Sequence, residues 1–219
     1  MATKTKESSA EIKLRAKKIY TGLNKLYPNA HCELEFKNPL QMLVATILAA
    51  QCTDKRVNMV TPVLFKKYKK VEDFASAKKC ELEELIKSTG FYKNKATSII
   101  GMSRKVCDDF GGKIPNNLED LVSLPGVGRK TANVVLSSAF HQAVMPVDTH
   151  VHRVSNRIGL VKTDKVEQTE TELMKIIPEA WVIDFHHYLL LHGRYTCKAK
   201  KPECQRCGVS SVCDYPEKN

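Results

Sequence analysis

Leu124-Pro125-Gly126-Val127-Gly128-Arg129-Lys130-Thr131-Ala132 lies between two stretches of helical periodicity, and its reading decides the fold. Residues 117–123 read as a short helix that Pro125 stops. Residues 129–140 read as a second helix with Ala132, Val135, Leu136 and Ala139 on one apolar face. Gly126 and Gly128 permit backbone angles and a close approach that a side chain would forbid. The turn's N–H groups then point outward and, with the positive end of the second helix dipole, make a site for one phosphate. Such a site holds DNA independently of its sequence. A bare Gly-x-Gly would read first as a plain helical hairpin.

Outward from this hairpin, apolar residues keep helical spacing: Ile12, Ala16, Ile19, Tyr20 and Leu23, then Val57, Val60 and Leu64, then Ala96, Ile99, Ile100, Val106, Cys107 and Phe110. Helix starts are expected at Ser8 with Glu11, at Asn38 before Pro39, and at Asp164 three residues before Glu167. Stops are expected at Gly90, Gly111 and Pro178. No sustained alternation of period 2 occurs, so the fold class is all-α. Pro39–Ala50 is apolar on most faces and reads as a central buried helix.

The 219 residues permit one large domain or two small ones. With 42% hydrophobic and 27% charged residues the chain reads as a globule, not a disordered segment or a solenoid. Lys and Arg outnumber Asp and Glu by 35 to 24, giving +11 and a pI near 9.2, which favours a polyanionic partner such as nucleic acid. Met1–Ala10 is charged and polar, unlike a secretory leader. The longest apolar stretch, Pro39–Ala50, falls short of the roughly 20 residues that span a bilayer. A soluble intracellular protein without membrane association is expected.

Of eight cysteines, four lie in the pattern Cys197-x6-Cys204-x2-Cys207-x5-Cys213. In a reducing compartment this crowding suggests metal ligation over disulfides, with zinc and an iron-sulfur cube as the alternatives. The wide flanking gaps suit the larger cube. Cys32, Cys52, Cys80 and Cys107 read as buried structural thiols. Lys198, Lys200, Lys201 and Arg206 form either a solvated charge run or a contact for the DNA backbone. His186, His187 and His192 read as packing residues near the cysteine segment.

The hairpin stretch, together with Val147-Asp148-Thr149-His150, Ala49-Ala50-Gln51-Cys52-Thr53-Asp54, Gly90-Phe91-Tyr92-Lys93-Asn94-Lys95-Ala96 and Leu191-His192-Gly193-Arg194-Tyr195-Thr196-Cys197, resembles the endonuclease III branch of the helix-hairpin-helix glycosylases. The resemblance runs from about Leu26 onward. It implies a bifunctional DNA glycosylase and abasic-site lyase that removes oxidised pyrimidines from duplex DNA in base excision repair. Its partner would be double-stranded DNA with a damaged base or an abasic site. The protein would be a monomer, nucleoid-associated in a bacterial cytoplasm or nuclear in a eukaryote.

The implied architecture has two helical domains with the active-site cleft between them. One is a helical barrel over 32–142 that contains the hairpin (117–140). The other joins 1–31 to 143–219 and holds a 4Fe-4S cluster at 197–213, ligated by Cys197, Cys204, Cys207 and Cys213. Lys130 would be the nucleophile, its neutral form favoured by the helix dipole, Arg129 and desolvation. Asp148 would act as its carboxylate partner. Read singly, Lys130 is a solvated lysine, Asp148 an N-cap, and His150 a packing or hydrogen-bonding residue. By the same resemblance Leu124, Gly126, Gly128 and Arg129 hold the DNA backbone, and the 198–206 cations clamp it. Gln51 fills the gap left by an extruded nucleotide and Phe91 wedges from the other side, where the family commonly has an aliphatic residue. A core position is the bland reading of Phe91.

Two rivals are weighed against this reading. An adenine-mismatch glycosylase normally lacks the lysine and carries a further C-terminal domain, so Lys130 and the end at Asn219 argue against it. A non-catalytic DNA-binding module would form no covalent complex with abasic DNA.

Overall fold

The computed structural model describes residues 8–218, and every regular element among them is helical. Met1–Glu7 and Asn219, which the expected domain limits include, lie outside the described residues. In chain order the elements are α1 (Ser9–Leu26), α2 (Pro39–Ala49), α3 (Asp54–Lys67), α4 (Val71–Ala75), α5 (Lys79–Ile86), α6 (Tyr92–Phe110), α7 (Leu118–Val122), α8 (Arg129–Phe140), α9 (Thr149–Arg157), α10 (Val166–Ile176) and α11 (Val182–Tyr195). Short 3-10 turns cover Lys87–Thr89, Glu179–Trp181, Cys204–Arg206 and Ser210–Val212. No described helix is long and apolar enough to cross a membrane. The chain divides into two compact units, Cys32–Gln142 and Met1–His31 with Ala143–Asn219.

In the 32–142 unit, α2 is the central element. The Asn38 side chain accepts from Gln41 N at 3.0 Å and Pro39 takes the first turn, so the helix starts where a missing N–H costs nothing. Met42, Leu43, Val44, Ala45 and Leu48 are fully buried against α3, α6 and α8. Burial on several faces explains why the segment carries almost no polar residues. The amphipathic α6 covers α4 and α5 with Ala96, Ile99, Met102 and Val106 and stops at Gly111, whose φ of 57° is left-handed.

In the other unit, α1 begins with a capping box in which Ser8 and Glu11 exchange side-chain and main-chain bonds. Its buried residues Ala16, Ile19 and Leu23 join Val151 and Val154 of α9, Leu173 of α10, and Phe185 and Leu189 of α11 in one core. Tyr20 stacks on Trp181 with ring centroids 4.6 Å apart. An ion pair between Arg15 and Asp214 ties α1 to the C-terminal segment.

One expected start is corrected. Asp164 does not cap α10, which begins at Val166 after Lys165 with no side-chain cap bond. The preceding connection is fastened at Thr163 instead: its N–H donates to Asn156 Oδ1 at 2.9 Å, and its hydroxyl lies 2.5 Å from Thr169 Oγ1. These contacts set the helix start one residue beyond the pattern.

Candidate functional site

The hairpin is built from the turn outward. Asn117 caps α7 by accepting from Asp120 N at 2.9 Å. Leu124 N donates to Leu121 O and Val127 N to Leu124 O, at 3.2 and 3.1 Å. Leu124 and Val127 are 2% and 5% exposed. Leu124, expected to hold the DNA backbone, closes the turn with its amide, and its side chain is buried.

The two glycines turn out to have different reasons. Gly126 has φ +77°, and a Cβ there would fall 2.5 Å from Ser98 Cβ on α6, so both conformation and packing require glycine. Gly128 has an ordinary φ of −88°, and a Cβ there would meet nothing within 4 Å. Its missing side chain leaves open space outside the turn. As the N-cap of α8 it also brings no side chain to its first amides, so the positive end of that helix faces outward uncapped by its own N-cap.

Lys130 stands in the first turn of α8 beside Arg129, and both are exposed. Desolvation of the amine, expected from the sequence, is thus not supplied by the protein's own packing. Asp148 is the N-cap of α9, and its Oδ1 accepts from His150 N at 2.8 Å and Val151 N at 2.9 Å. These bonds and the α9 dipole favour the ionised carboxylate. His150 packs where α9 crosses α11: a Cβ on Gly193 would come within 2.8 Å of His150 Cβ. Its Nδ1 lies 3.3 Å from Arg153 Nη2.

Gln51 and Phe91 share an uncommon backbone state. Both have left-handed φ, 52° and 48°, and both are exposed. Phe91 is 61% exposed, which removes the core reading of this ring. Its neighbour Gly90 also has positive φ, 70°, so the chain reverses sharply just before α6.

Cys197, Cys204, Cys207 and Cys213 line a single pocket. All four are free thiols. Burial pushes the Cys207 and Cys213 thiols above their ordinary pKa, and the other cysteines of the group add to this. Among the described residues no group of three or more His, Cys, Asp or Glu could hold a metal ion as placed. Four thiols that line one pocket yet converge on no single-ion site fit a multi-atom centre better than one ion, which needs its ligands within about 2.3 Å of a point.

The remaining cysteines depart from expectation. Cys80 on α5 is exposed, Cys107 on α6 is only partly buried, and so are Cys32 and Cys52, which lie in connections outside the helices.

His192 is 1% exposed, with Nδ1 3.3 Å from the Tyr27 hydroxyl and Nε2 3.5 Å from Cys207 Sγ. Burial lowers its pKa to about 4, and that of His187 on the same helix also to about 4. His186 packs its ring edge-on to His187.

The four cations of the cysteine loop are not equivalent. Glu203 accepts from Lys198 at 2.5 Å and from Arg206 at 3.3 Å. Lys200 and Lys201 are exposed and pair with no carboxylate among the described residues. The unopposed charge of this loop is therefore concentrated on two lysines.

The sequence reading missed Arg157. At the end of α9 it donates to Lys198 O at 2.7 Å and Ala199 O at 3.0 Å, lies over the Tyr215 ring at 4.6 Å, and approaches Cys197 Sγ at 3.8 Å. Its only local signal was a cation at a helix C-terminus, which says nothing of partners some forty residues away.

Comparison with known proteins adds to this geometry. The family model for HhH-GPD superfamily base excision DNA repair proteins matches residues 44–179. Endonuclease III of Synechocystis sp. is 49% identical over 205 residues, 93% of this chain and 94% of that protein. Endonuclease III of Bacillus subtilis is 47% identical, over 91% and 93% of the two chains. A solved structure described as a trapped endonuclease III-DNA covalent intermediate, an estranged-adenine complex, is similar with a TM-score of 0.87 and 44% identity, covering 92% of this chain and 95% of that one.

Proposed function

This chain belongs to the HhH-GPD superfamily of base excision DNA repair proteins, in its endonuclease III family, and from that premise we propose how its residues carry out the bifunctional glycosylase and abasic-site lyase reaction on duplex DNA. The observation that carries the residue roles is the hairpin: an exposed lysine in the first turn of α8, two residues after an open glycine at a helix start without a side-chain cap. The amides beyond Gly126 and the α8 dipole take one phosphate, which sets the register of the duplex against Lys130.

The nucleotide must first leave the stack, at a cost of a few kcal/mol that is smallest for a damaged base. Gln51 fills the space opposite the orphaned base and Phe91 wedges beside it. Lys130 Nζ then attacks C1′. The bond from C1′ to the base breaks, and the base leaves with the electron pair and gains a proton. The nitrogen lone pair then expels O4′, which takes a proton as the sugar ring opens, and the resulting protonated imine acidifies the C2′ proton; its removal drives cleavage of the C3′–O bond and release of the 3′ phosphate. Asp148 supplies the carboxylate that accepts a proton or stabilises positive charge at the sugar. Oxidised pyrimidines are the substrate class we assign. Borohydride reduction tests the imine directly: the wild-type protein should form a covalent adduct with an abasic duplex, and absence of any adduct would count against the lyase.

Cys197, Cys204, Cys207 and Cys213 are the residues that would hold a 4Fe-4S cluster, whose role when bound is to stiffen the 197–213 loop. Arg157 organises that loop through the carbonyls of Lys198 and Ala199, and Lys200 and Lys201 then offer charge to the DNA backbone. Cys204→Ser should remove the visible charge-transfer absorbance and most of the bound iron, and should lower the melting temperature. Zinc without iron in anaerobically purified protein would sink the cluster assignment.

A further inference from the structure

Lys95, in the first turn of α6, is only 5% exposed. Its ammonium donates to Leu48 O and Thr89 O, both at 2.8 Å. No carboxylate pairs with it among the described residues. A buried ammonium is costly, and an apolar side chain would fill the same space but leave the Leu48 and Thr89 carbonyls without a donor. Packing alone does not account for a lysine here.

What the ammonium accomplishes is a tie between segments 47 and 6 residues away in sequence. Leu48 lies in the last turn of α2, where carbonyls lack helical partners, three residues before Gln51. Thr89 closes the turn that leads through Gly90 to Phe91. The main-chain N–H of Lys95 donates to Phe91 O at 3.0 Å. One residue thus grips the approaches to both exposed, left-handed side chains. A left-handed non-glycine residue is strained and persists only where its surroundings over-determine it.

We infer that Lys95 is a positioning residue for duplex opening: it holds the Gln51 and Phe91 loops in one register, so that both side chains enter the stack together as the damaged nucleotide leaves. The inference rests on the wedge roles proposed above for those two residues.

The test uses Lys95→Met, which keeps the length and the apolar stem but removes every donor. Two duplexes are compared, one with thymine glycol paired to adenine and one with a preformed abasic site, each carrying 2-aminopurine beside the lesion to report unstacking. Opening and base release on thymine glycol should slow on the order of 10²-fold, the loss expected when acting groups shift by about 1 Å. Borohydride trapping on the abasic duplex, where less pairing must be broken, should stay within about threefold of wild type. The melting temperature should fall by a few degrees, because the Leu48 and Thr89 carbonyls lose their donor, with the protein still folded at the assay temperature.

Wild-type opening by Lys95→Met overturns the inference, and so does an equal loss on both duplexes, which marks general damage. Should Lys95→Met not fold, Lys95→Gln, with a donor for one carbonyl, goes through the same two assays and the same outcomes decide. If the wild-type protein itself forms no adduct, the lyase reading falls and takes this inference with it; the other outcomes overturn the inference alone.

Discussion

Lys130→Gln should abolish the borohydride-trapped adduct and strand cleavage while leaving duplex binding intact. Gln has similar length and helix propensity, and Lys130 is exposed, so the substitution should change stability by no more than about 0.5 kcal/mol. The hairpin amides and Gly128 are untouched, so the phosphate contact survives. What disappears is the amine, and with it the covalent route. Base release should fall on the order of 10⁴- to 10⁶-fold, the range seen when a covalent nucleophile is removed. The measurement is a parallel assay of binding, base release and trapping on a duplex with one thymine glycol. Trapping by Lys130→Gln at the wild-type rate would mean that another amine attacks C1′.

Asp148→Asn should separate the cap that the structure shows from the proton-accepting role proposed for the same side chain. Asp148 caps α9 through Oδ1, and asparagine caps a helix nearly as well as aspartate. The folded protein should therefore melt close to wild type. Base release should nonetheless drop by roughly 10²- to 10⁴-fold, because an amide can neither accept the proton nor stabilise cationic charge. Asp148→Ala should add a stability loss of about 0.5–2 kcal/mol from the missing cap. Base release by Asp148→Asn at the wild-type rate, with normal melting, would reduce Asp148 to a cap alone.

The contrast between these variants follows the division between local and distant information. Helix identity was legible because periodicity and capping act between residues a few positions apart: Asn38 and Ser8 cap where they were expected, and α8 runs over 129–140 as read. The hairpin and its lysine were legible for the same reason, as a short contiguous motif. Asp164 misled because a matching spacing carries no knowledge of Thr163 and Asn156, which fasten that connection from another helix turn.

What contiguous sequence could not state is which side of each motif residue faces inward. Leu124 and Gly128 are four positions apart in the same motif, yet one is buried against the turn and the other opens on empty space. Packing against α6 decides this. The cysteine spacing was visible, but Arg157 meets the carbonyls of that loop only because α9 and the C-terminal segment share a core. Lys95 likewise looked like one more cation in a basic chain. Its carbonyl partners lie on α2 and in the turn before α6, and only the folded unit brings them within hydrogen-bond distance, because a long-range contact is created by the burial of the apolar faces around it.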